Sequence, residues 1–271
     1  KTVIDTFDLR PKKSLGQNFL MDSGITDRIA ASAGPLHQTT VTEIGPGPGG
    51  LTRSLLTQHP QRVIALEFDP RAIAALQPLV QAASGVLVVE HTDALKTNWD
   101  RHFTPGARHI IIANLPYNIA TPLLIDWLRL IRTDSTRLST LILMFQREVA
   151  DRIMSAPGTA TYGRLSVIAQ WLSTITPVMT LPPGAFSPPP KVHSSVIRLV
   201  PKTLQTTAPR FDTMEDLLAR AFGHRRKMLR SNLKSDLHHL SALNIAPENR
   251  AEDITVDQFA ELAARIESTS L

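Results

Sequence analysis

The sequence predicts an α/β fold on a mostly parallel open sheet, followed by a smaller all-helical C-terminal domain. Three observations lead there. Short apolar runs near residues 41, 63, 86, 109 and 139 alternate with helical patterns, the signature of parallel strands joined by crossover helices. A glycine loop follows the first of those runs directly. Polar residues stand at the ends of successive runs, where open α/β sheets hold their ligands.

Taken in order, residues 1 to about 35 read as a basic, irregular arm and a helix from Asp22 to Ala33. Val41-Thr42-Glu43-Ile44 is a short strand that runs into Gly45-Pro46-Gly47-Pro48-Gly49-Gly50, and Leu51, Leu55 and Leu56 then open a helical pattern. Arg62 to Leu66 is a second strand ending at Glu67, and Gly85 to Val89 a third, leading to His91-Thr92-Asp93. The fourth, with β-branched Ile110, Ile111 and Ile112, stops at Asn114-Leu115-Pro116-Tyr117. The fifth, Ser139 to Phe145, precedes Gln146 to Arg152. After a Pro157-Gly158 break, Tyr162 to Leu172 is helical. Strands near Val178–Leu181 and Ser194–Val200 close the sheet and flank Pro182 to Pro190, a loop too proline-rich for regular structure. Pro201 to Pro209 is a linker, which places a catalytic domain at 1–202 and a helical domain at 203–271.

The end of the fourth strand carries specific chemistry. Pro116 cannot donate to a ladder and holds Leu115 extended, so the chain leaves the sheet there. One amide and one phenol are then presented at a strand's carboxyl edge, a set that suits methyl transfer to a planar amino group. Such a nitrogen shares its lone pair with a π-system. Acceptors on its hydrogens, the Asn114 oxygen and the Leu115 carbonyl, would localise that pair, and Tyr117 would stack on the ring. The same four residues also fit an ordinary strand-ending turn.

The glycine loop is less specific. Gly45-x-Gly47-x-x-Gly50 with Glu67 at the end of the next strand fits a nicotinamide cofactor or S-adenosylmethionine. Pro46 and Pro48 remove two N–H groups that a pyrophosphate would use, which favours the sulfonium ligand modestly. Glu67 would meet ribose hydroxyls and Asp93 an adenine amine. Equally, Glu67 fits an exposed pairing with Arg71, and Asp93 a helix N-cap.

Beyond residue 210 one long helix is read, capped by Asp212 with Glu215. Its apolar side carries Leu218, Ala221, Phe222, Met228, Leu229 and Leu233. Arg220, His224, Arg226, Lys227, Arg230 and Lys234 share another side with no acid among them, which fits contact with phosphates. Arg225 alone lies on the apolar side. A final helix opens with a capping box from Thr255 to Gln258. His238-His239 reads as a solvated turn.

Together these segments resemble a known family. Lys13-Ser14-Leu15-Gly16-Gln17-Asn18-Phe19-Leu20, Asn114 to Ile119, Phe186-Ser187-Pro188-Pro189-Pro190-Lys191-Val192 and Arg225 to Arg230 occur in the order seen in small-subunit ribosomal RNA adenine dimethyltransferases, the KsgA group. The resemblance implies a class I S-adenosylmethionine-dependent methyltransferase, Rossmann-like with a seven-stranded sheet. It places the cofactor on Asn18, Leu20, Gly45, Glu67, Asp93 and Asn114. The target base would be held by Asn114, Leu115, Pro116, Tyr117 and Phe186, the last as second face of an aromatic clamp. The implied substrate is two adjacent adenosines in the 3′-terminal hairpin loop of small-subunit RNA, methylated by a cytoplasmic monomer. Large-subunit dimethyltransferases of the antibiotic-resistance type share the strand-end motif, and a role chiefly in ribosome assembly is the reading from another class. The opening signature, Asn118 and the basic segment favour the small-subunit enzymes.

Composition narrows the classes further. The 271 residues suffice for an α/β core and a small second domain. Zero Cys excludes disulfides, thiolate metal sites and a cysteine nucleophile. The nine His form no helical HxxxH pair, so no metal is expected. Net charge of +5 suits a polyanionic partner. No apolar run approaches a membrane span and no signal-peptide pattern is read; the chain opens at Lys1, which leaves room for a short leader.

Overall fold

The structure, a computed structural model, describes Thr6, Phe7, Leu9, residues 17–103 and residues 106–269. Lys13 to Gly16, half of the opening signature, lie outside the described residues. The elements run β1 (Phe19–Leu20), α1 (Ser23–Ala31), β2 (Thr39–Ile44), α2 (Gly50–Leu56), β3 (Arg62–Glu67), α3 (Pro70–Ala82), β4 (Leu87–His91), β5 (Arg108–Ala113) and α4 (Tyr117–Thr133). They continue with β6 (Thr140–Gln146), α5 (Arg147–Ile153), α6 (Arg164–Leu172), β7 (Ser173–Leu181), β8 (Phe186–Ser187) and β9 (Ser194–Pro201). Helices α7 (Phe211–Ala221), α8 (Leu229–Asn232), α9 (Leu237–Ala242) and α10 (Val256–Thr269) complete the chain.

Among the described residues, seven strands form one sheet in the order β4-β3-β2-β5-β6-β9-β7. The pairs from β4 through β6 are parallel and β6–β9 is antiparallel. Ile110, Ile111 and Ile112 on β5 are fully buried on both faces, as a central parallel strand covered by helices requires. Each such side chain contributes roughly 1.5–3 kcal/mol through burial. Register then aligns the strand ends. Ile44 pairs with Leu66 and with Ala113, and Glu67 pairs with His91, so the loops after β2, β3, β4 and β5 leave from one edge.

The chain forms two compact units. One runs through Trp127 and adds Thr136–Ala150 and Thr176–Val200; the other gathers Leu128–Ser135, Asp151–Ile175 and the chain from Pro201 onward. The expected cut at residue 202 therefore misses two segments that join the C-terminal helices. In the second unit Tyr162 Oη donates to the Ile254 carbonyl at 3.0 Å, and the Arg132 guanidinium donates to the carbonyls of Pro209 (2.6 Å) and Ala208 (2.5 Å). These long-range bonds recruit the segments and are invisible to local periodicity.

Other local expectations are corrected. Pro182 to Pro190 is not wholly irregular: Pro183–Ala185 makes a 3-10 turn, and Phe186–Ser187 pairs antiparallel with Phe19–Leu20, so part of the arm is a strand. Helix α7 begins at Phe211 with Arg210 as its N-cap. Asp212 and Glu215 do not cap it because both are drawn to Arg129, whose guanidinium lies 4.3 Å from the Phe211 ring centre. His238-His239 belongs to α9, and His239 is buried. The capping box of α10 is present: Thr255 Oγ1 accepts from Gln258 N at 3.2 Å, and Gln258 Oε1 from Thr255 N at 3.0 Å.

One buried histidine makes the sheet sensitive to acid. His109 on β5 is buried, with Nε2 2.8 Å from Thr42 Oγ1 on β2. Burial, reinforced by the neighbouring His102, pulls its pKa from 6.5 to about 4. The unfolded chain therefore takes up this proton first, and stability falls as pH drops from 6.5 towards 4. By the lower end of that window the loss is on the order of 3 kcal/mol. His109→Asn is expected to flatten the dependence of Tm on pH across this window, which thermal unfolding at a series of pH values reads directly.

Candidate active site

A cavity of about 240 Å³ opens at the aligned strand ends. Its lining brings together Asn18 from the arm, Gly45 and Gly47 after β2, Glu67 at the end of β3, Asp93 after β4, and Asn114, Leu115, Pro116 and Tyr117 after β5. Three carboxylates, Glu67, Asp69 and Asp93, line it with no Lys, Arg or His among the described lining residues. Its field therefore favours a cation. Phe68, 58% exposed, and Leu95 add apolar surface beside those acids.

The glycine loop is shaped by what passes over it. Gly47 has φ +54°, and a Cβ there would meet the Phe19 ring at 2.8 Å, so only glycine fits. Gly45, at φ +65°, faces open space, which a side chain would fill. Glu67 ties the loop down. Its Oε2 accepts from Gly47 N at 3.1 Å, and its Oε1 accepts from Phe68 N and Asp69 N, both at 2.8 Å. Only 6% of Glu67 is exposed, and Arg71 pairs with Asp69 instead, so the surface pairing is set aside. Burial pushes the Glu67 carboxyl above its usual range, against the pull of those three N–H groups. Asp93 does two things at once: it caps the turn Ala94–Lys96 by accepting from Leu95 N at 3.0 Å, and it lines the cavity.

At β5 the Asn114 amide is oriented. Its Nδ2 donates to the Asn18 carbonyl at 3.1 Å, which leaves the side-chain oxygen to offer a ligand. Tyr117 opens α4, and its hydroxyl lies 2.7 Å from the Ser194 hydroxyl on β9. Burial raises the phenol pKa, so the ring stays neutral.

Two expected site residues stand elsewhere. Phe186 is 4% exposed, packed in the hydrophobic core cluster that includes Leu20, Leu51 and Val196, and is not among the cavity's lining residues. The expected second face of a clamp is not presented, because pairing of β8 with β1 turns the ring into the core. Leu20 is likewise buried in that cluster and does not line the cavity. Conversely, Gln17, Phe68, Asp69, Thr92 and Leu95 line the cavity without having been singled out. Asp69 was findable: Asp before Pro is an N-cap followed by Pro at the first helical position, and the structure has this arrangement at α3.

The basic segment differs most from its expected form. The long helix ends at Ala221. Asn232 Nδ2 donates to the Ala221 carbonyl at 2.7 Å and to the His224 carbonyl at 3.2 Å. Residues 222–226 form a turn, and the Asn232 bonds tie it to the end of the helix. Arg220 is held by Asp216 at 2.9 Å and by Asp236, so the acid-free face does not exist at its position. Arg225 pairs with Glu252 at 2.9 Å and donates to the Ala160 carbonyl. Arg226, Lys227, Arg230 and Lys234 are exposed, with Arg230 3.9 Å from Glu248.

Behind the loop lies an acid with no assigned role. Glu43 on β2 is buried, and its Oε2 has no hydrogen-bond partner among the described residues. Burial, against the pull of the neighbouring Thr52 hydroxyl and with the Glu67 charge adding to it, raises its pKa from 4.5 to about 8. The folded protein thus holds a proton that the unfolded chain releases near 4.5, and stability is lost as pH rises from 4.5 through 8. Glu43→Gln, which mimics the protonated form, is expected to stabilise the protein at pH 7 by on the order of 3 kcal/mol. Equilibrium denaturation at pH 5 and pH 8 checks this: the gain must grow with pH.

Among the described residues no cluster of three His, Cys, Asp or Glu side chains could hold a metal ion, and no helix is long and apolar enough to cross a membrane. Residues 9–268 match the family described as ribosomal RNA adenine dimethylase. The chain is 48% identical to ribosomal RNA small subunit methyltransferase A of Gluconobacter oxydans, over 97% of this chain and 86% of that one. It is 46% identical to the protein of the same name from Rhodospirillum rubrum, over 99% of this chain and 92% of that one. A solved dimethyladenosine transferase from Plasmodium falciparum shares the architecture, with a TM-score of 0.79 at 26% identity, covering 93% of this chain and 98% of the other. With its sheet order, its strand-end cavity and these likenesses spanning nearly its whole length, the chain belongs to the ribosomal RNA adenine dimethylase family.

Proposed function

We propose that this adenine dimethyltransferase moves methyl groups from S-adenosylmethionine to N6 of two adjacent adenosines in the 3′-terminal hairpin loop of small-subunit ribosomal RNA. The observation that carries the reading is the oriented Asn114 amide in a cavity whose ionisable lining is wholly acidic. That lining suits a cationic sulfonium and opposes a pyrophosphate, which favours S-adenosylmethionine over a nicotinamide dinucleotide. Glu67 and Asp93 would accept from ribose hydroxyls and the cofactor's adenine, Asn18 and Gly45 would contact the ligand from the arm and the loop, and Phe68 and Leu95 would offer apolar surface to a flat ring. The bound cofactor supplies an electrophilic methyl group.

The chain's own residues prepare the nucleophile. The Asn114 oxygen and the Leu115 carbonyl accept the two N6 hydrogens and localise the lone pair on nitrogen, while Pro116 keeps that carbonyl turned out of the sheet. Tyr117 stacks on the base. Held in that cavity, the cofactor would give up its methyl group to the N6 lone pair that Asn114 and Leu115 localise, the bonding pair staying on sulfur and the N6 proton going to water. Acceptors that strengthen as N6 gains charge act on the transition state. Asn114→Ala is therefore expected to lower single-turnover transfer by about a hundredfold or more with subunit binding nearly intact. The assay is dimethyladenosine formed in small-subunit RNA; a near-normal rate sinks the assignment.

Four exposed cations of the second unit, Arg226 and Lys227 from a turn and Arg230 and Lys234 beyond it, are the proposed RNA contacts. Arg220, committed to two aspartates, contributes through packing of that unit rather than as an available charge. Neutralising Arg226, Lys227 and Arg230 together is expected to weaken subunit binding and to reduce its logarithmic salt slope by roughly 2–3. Cofactor affinity, measured by calorimetry, stays unchanged. A salt titration with parallel slopes and equal affinity removes this face from the RNA interface.

A further inference from the structure

We infer that Gln17 is a positioning residue for methyl transfer, acting on the target amine through the orientation of the Asn114 amide. The inference rests on the base-gripping role proposed for Asn114. A primary amide can turn either end to a ligand. Presented with its oxygen it accepts an amine hydrogen; turned by 180° it presents two donors that repel the same hydrogens. The Asn18 carbonyl decides between them. A carbonyl only accepts, so Asn114 Nδ2 faces it at 3.1 Å and the oxygen is directed away.

That selection works only while the Asn18 carbonyl stays in place, and Asn18 lies on a short strap across the cavity. On its C-terminal side, Phe19 and Leu20 pair with Ser187 and Phe186, and the Phe19 ring lies against Gly47. On its N-terminal side, Gln17 Nε2 donates to Asp69 Oδ2 at 3.3 Å. Asp69 is a firm anchor: Arg71 meets it through Nε at 3.1 Å and Nη2 at 2.7 Å, and its Oδ1 caps α3 at Arg71 N. The chain of contacts runs from α3 through Asp69, Gln17 and the Asn18 backbone to the Asn114 amide. Gln17 sits within it without needing to touch the base. Arg71 also holds the Asp69 carboxyl below the usual carboxylate range, so this acceptor persists through neutral pH.

A double-mutant cycle on the full-length protein tests this, with single-turnover transfer read at saturating S-adenosylmethionine and small subunits. Gln17→Leu is expected to lower the transfer rate by between about 10- and 100-fold, the scale of a misplaced catalytic group, with subunit affinity unchanged. In the Asn114→Ala background the same substitution should cost nothing further, because the group it orients is gone. An undiminished effect in that background, or no effect in the wild type, overturns the inference. Asn114→Ala alone reports on the base grip, so the two failures are separable. A second reading does not depend on residual activity. The side-chain amide signals of Asn114, identified by their loss in Asn114→Ala, should shift and lose exchange protection in Gln17→Leu; unchanged signals likewise overturn the inference.

Discussion

A single buried carboxylate organises the ligand-binding edge of the sheet. Glu67 accepts from N–H groups on two separate loops, Gly47 in the glycine loop and Phe68 and Asp69 in the turn that starts α3. Those loops leave the sheet from neighbouring parallel strands whose ends are level because Ile44 pairs with Leu66. Without the carboxylate, three buried or half-buried donors would face one another without an acceptor, each at a cost of roughly 1–3 kcal/mol. The position of Gly47 in turn admits the Phe19 ring, which seats the strap carrying Asn18, and Asn18 orients Asn114. The glycine loop, the strap and the Asn114 amide are thus linked in series, by hydrogen bonds and by the packing of the Phe19 ring against Gly47.

The same assembly stores electrostatic cost. Glu43 and Glu67 lie close enough for the charge of one to raise the pKa of the other, and burial raises both. Neither acid is compensated by a basic side chain in the cavity lining. Glu43 keeps its proton through neutral pH and carries no charge there, while the three N–H groups that Glu67 accepts from offset the burial of its carboxylate.

The second unit distributes its arginines by a different logic. Arg129, Arg132, Arg220 and Arg225 are spent inside the unit, on Asp212 and Glu215, on the carbonyls of Ala208 and Pro209, on Asp216 and Asp236, and on Glu252. These bonds join segments far apart in sequence. Four exposed cations, Arg226, Lys227, Arg230 and Lys234, lie in and after the turn that follows α7, where Asn232 donates to the Ala221 carbonyl.

By itself the sequence determined the α/β class, the position of five parallel-sheet strands and the residues that stand at their ends. Apolar runs of strand length with turn chemistry at their boundaries are local properties, and Gly45, Glu67, Asp93 and Asn114 follow from where those runs stop. Family motifs added the arm, the proline loop and the basic segment. Tertiary structure alone decided what those added pieces do. Phe186 and Leu20 are in the core because β1 and β8 pair across more than half the chain, a partnership that periodicity cannot register. Arg220 is neutralised by Asp236, and the helix expected to carry it onward ends at Ala221, whose carbonyl accepts from Asn232. The boundary between units follows no single chain position, since Arg129, Arg132 and Tyr162 fasten earlier segments to the C-terminal helices. In each instance the deciding contact joins residues whose proximity exists only after folding, whereas helix and strand propensities act within a few residues.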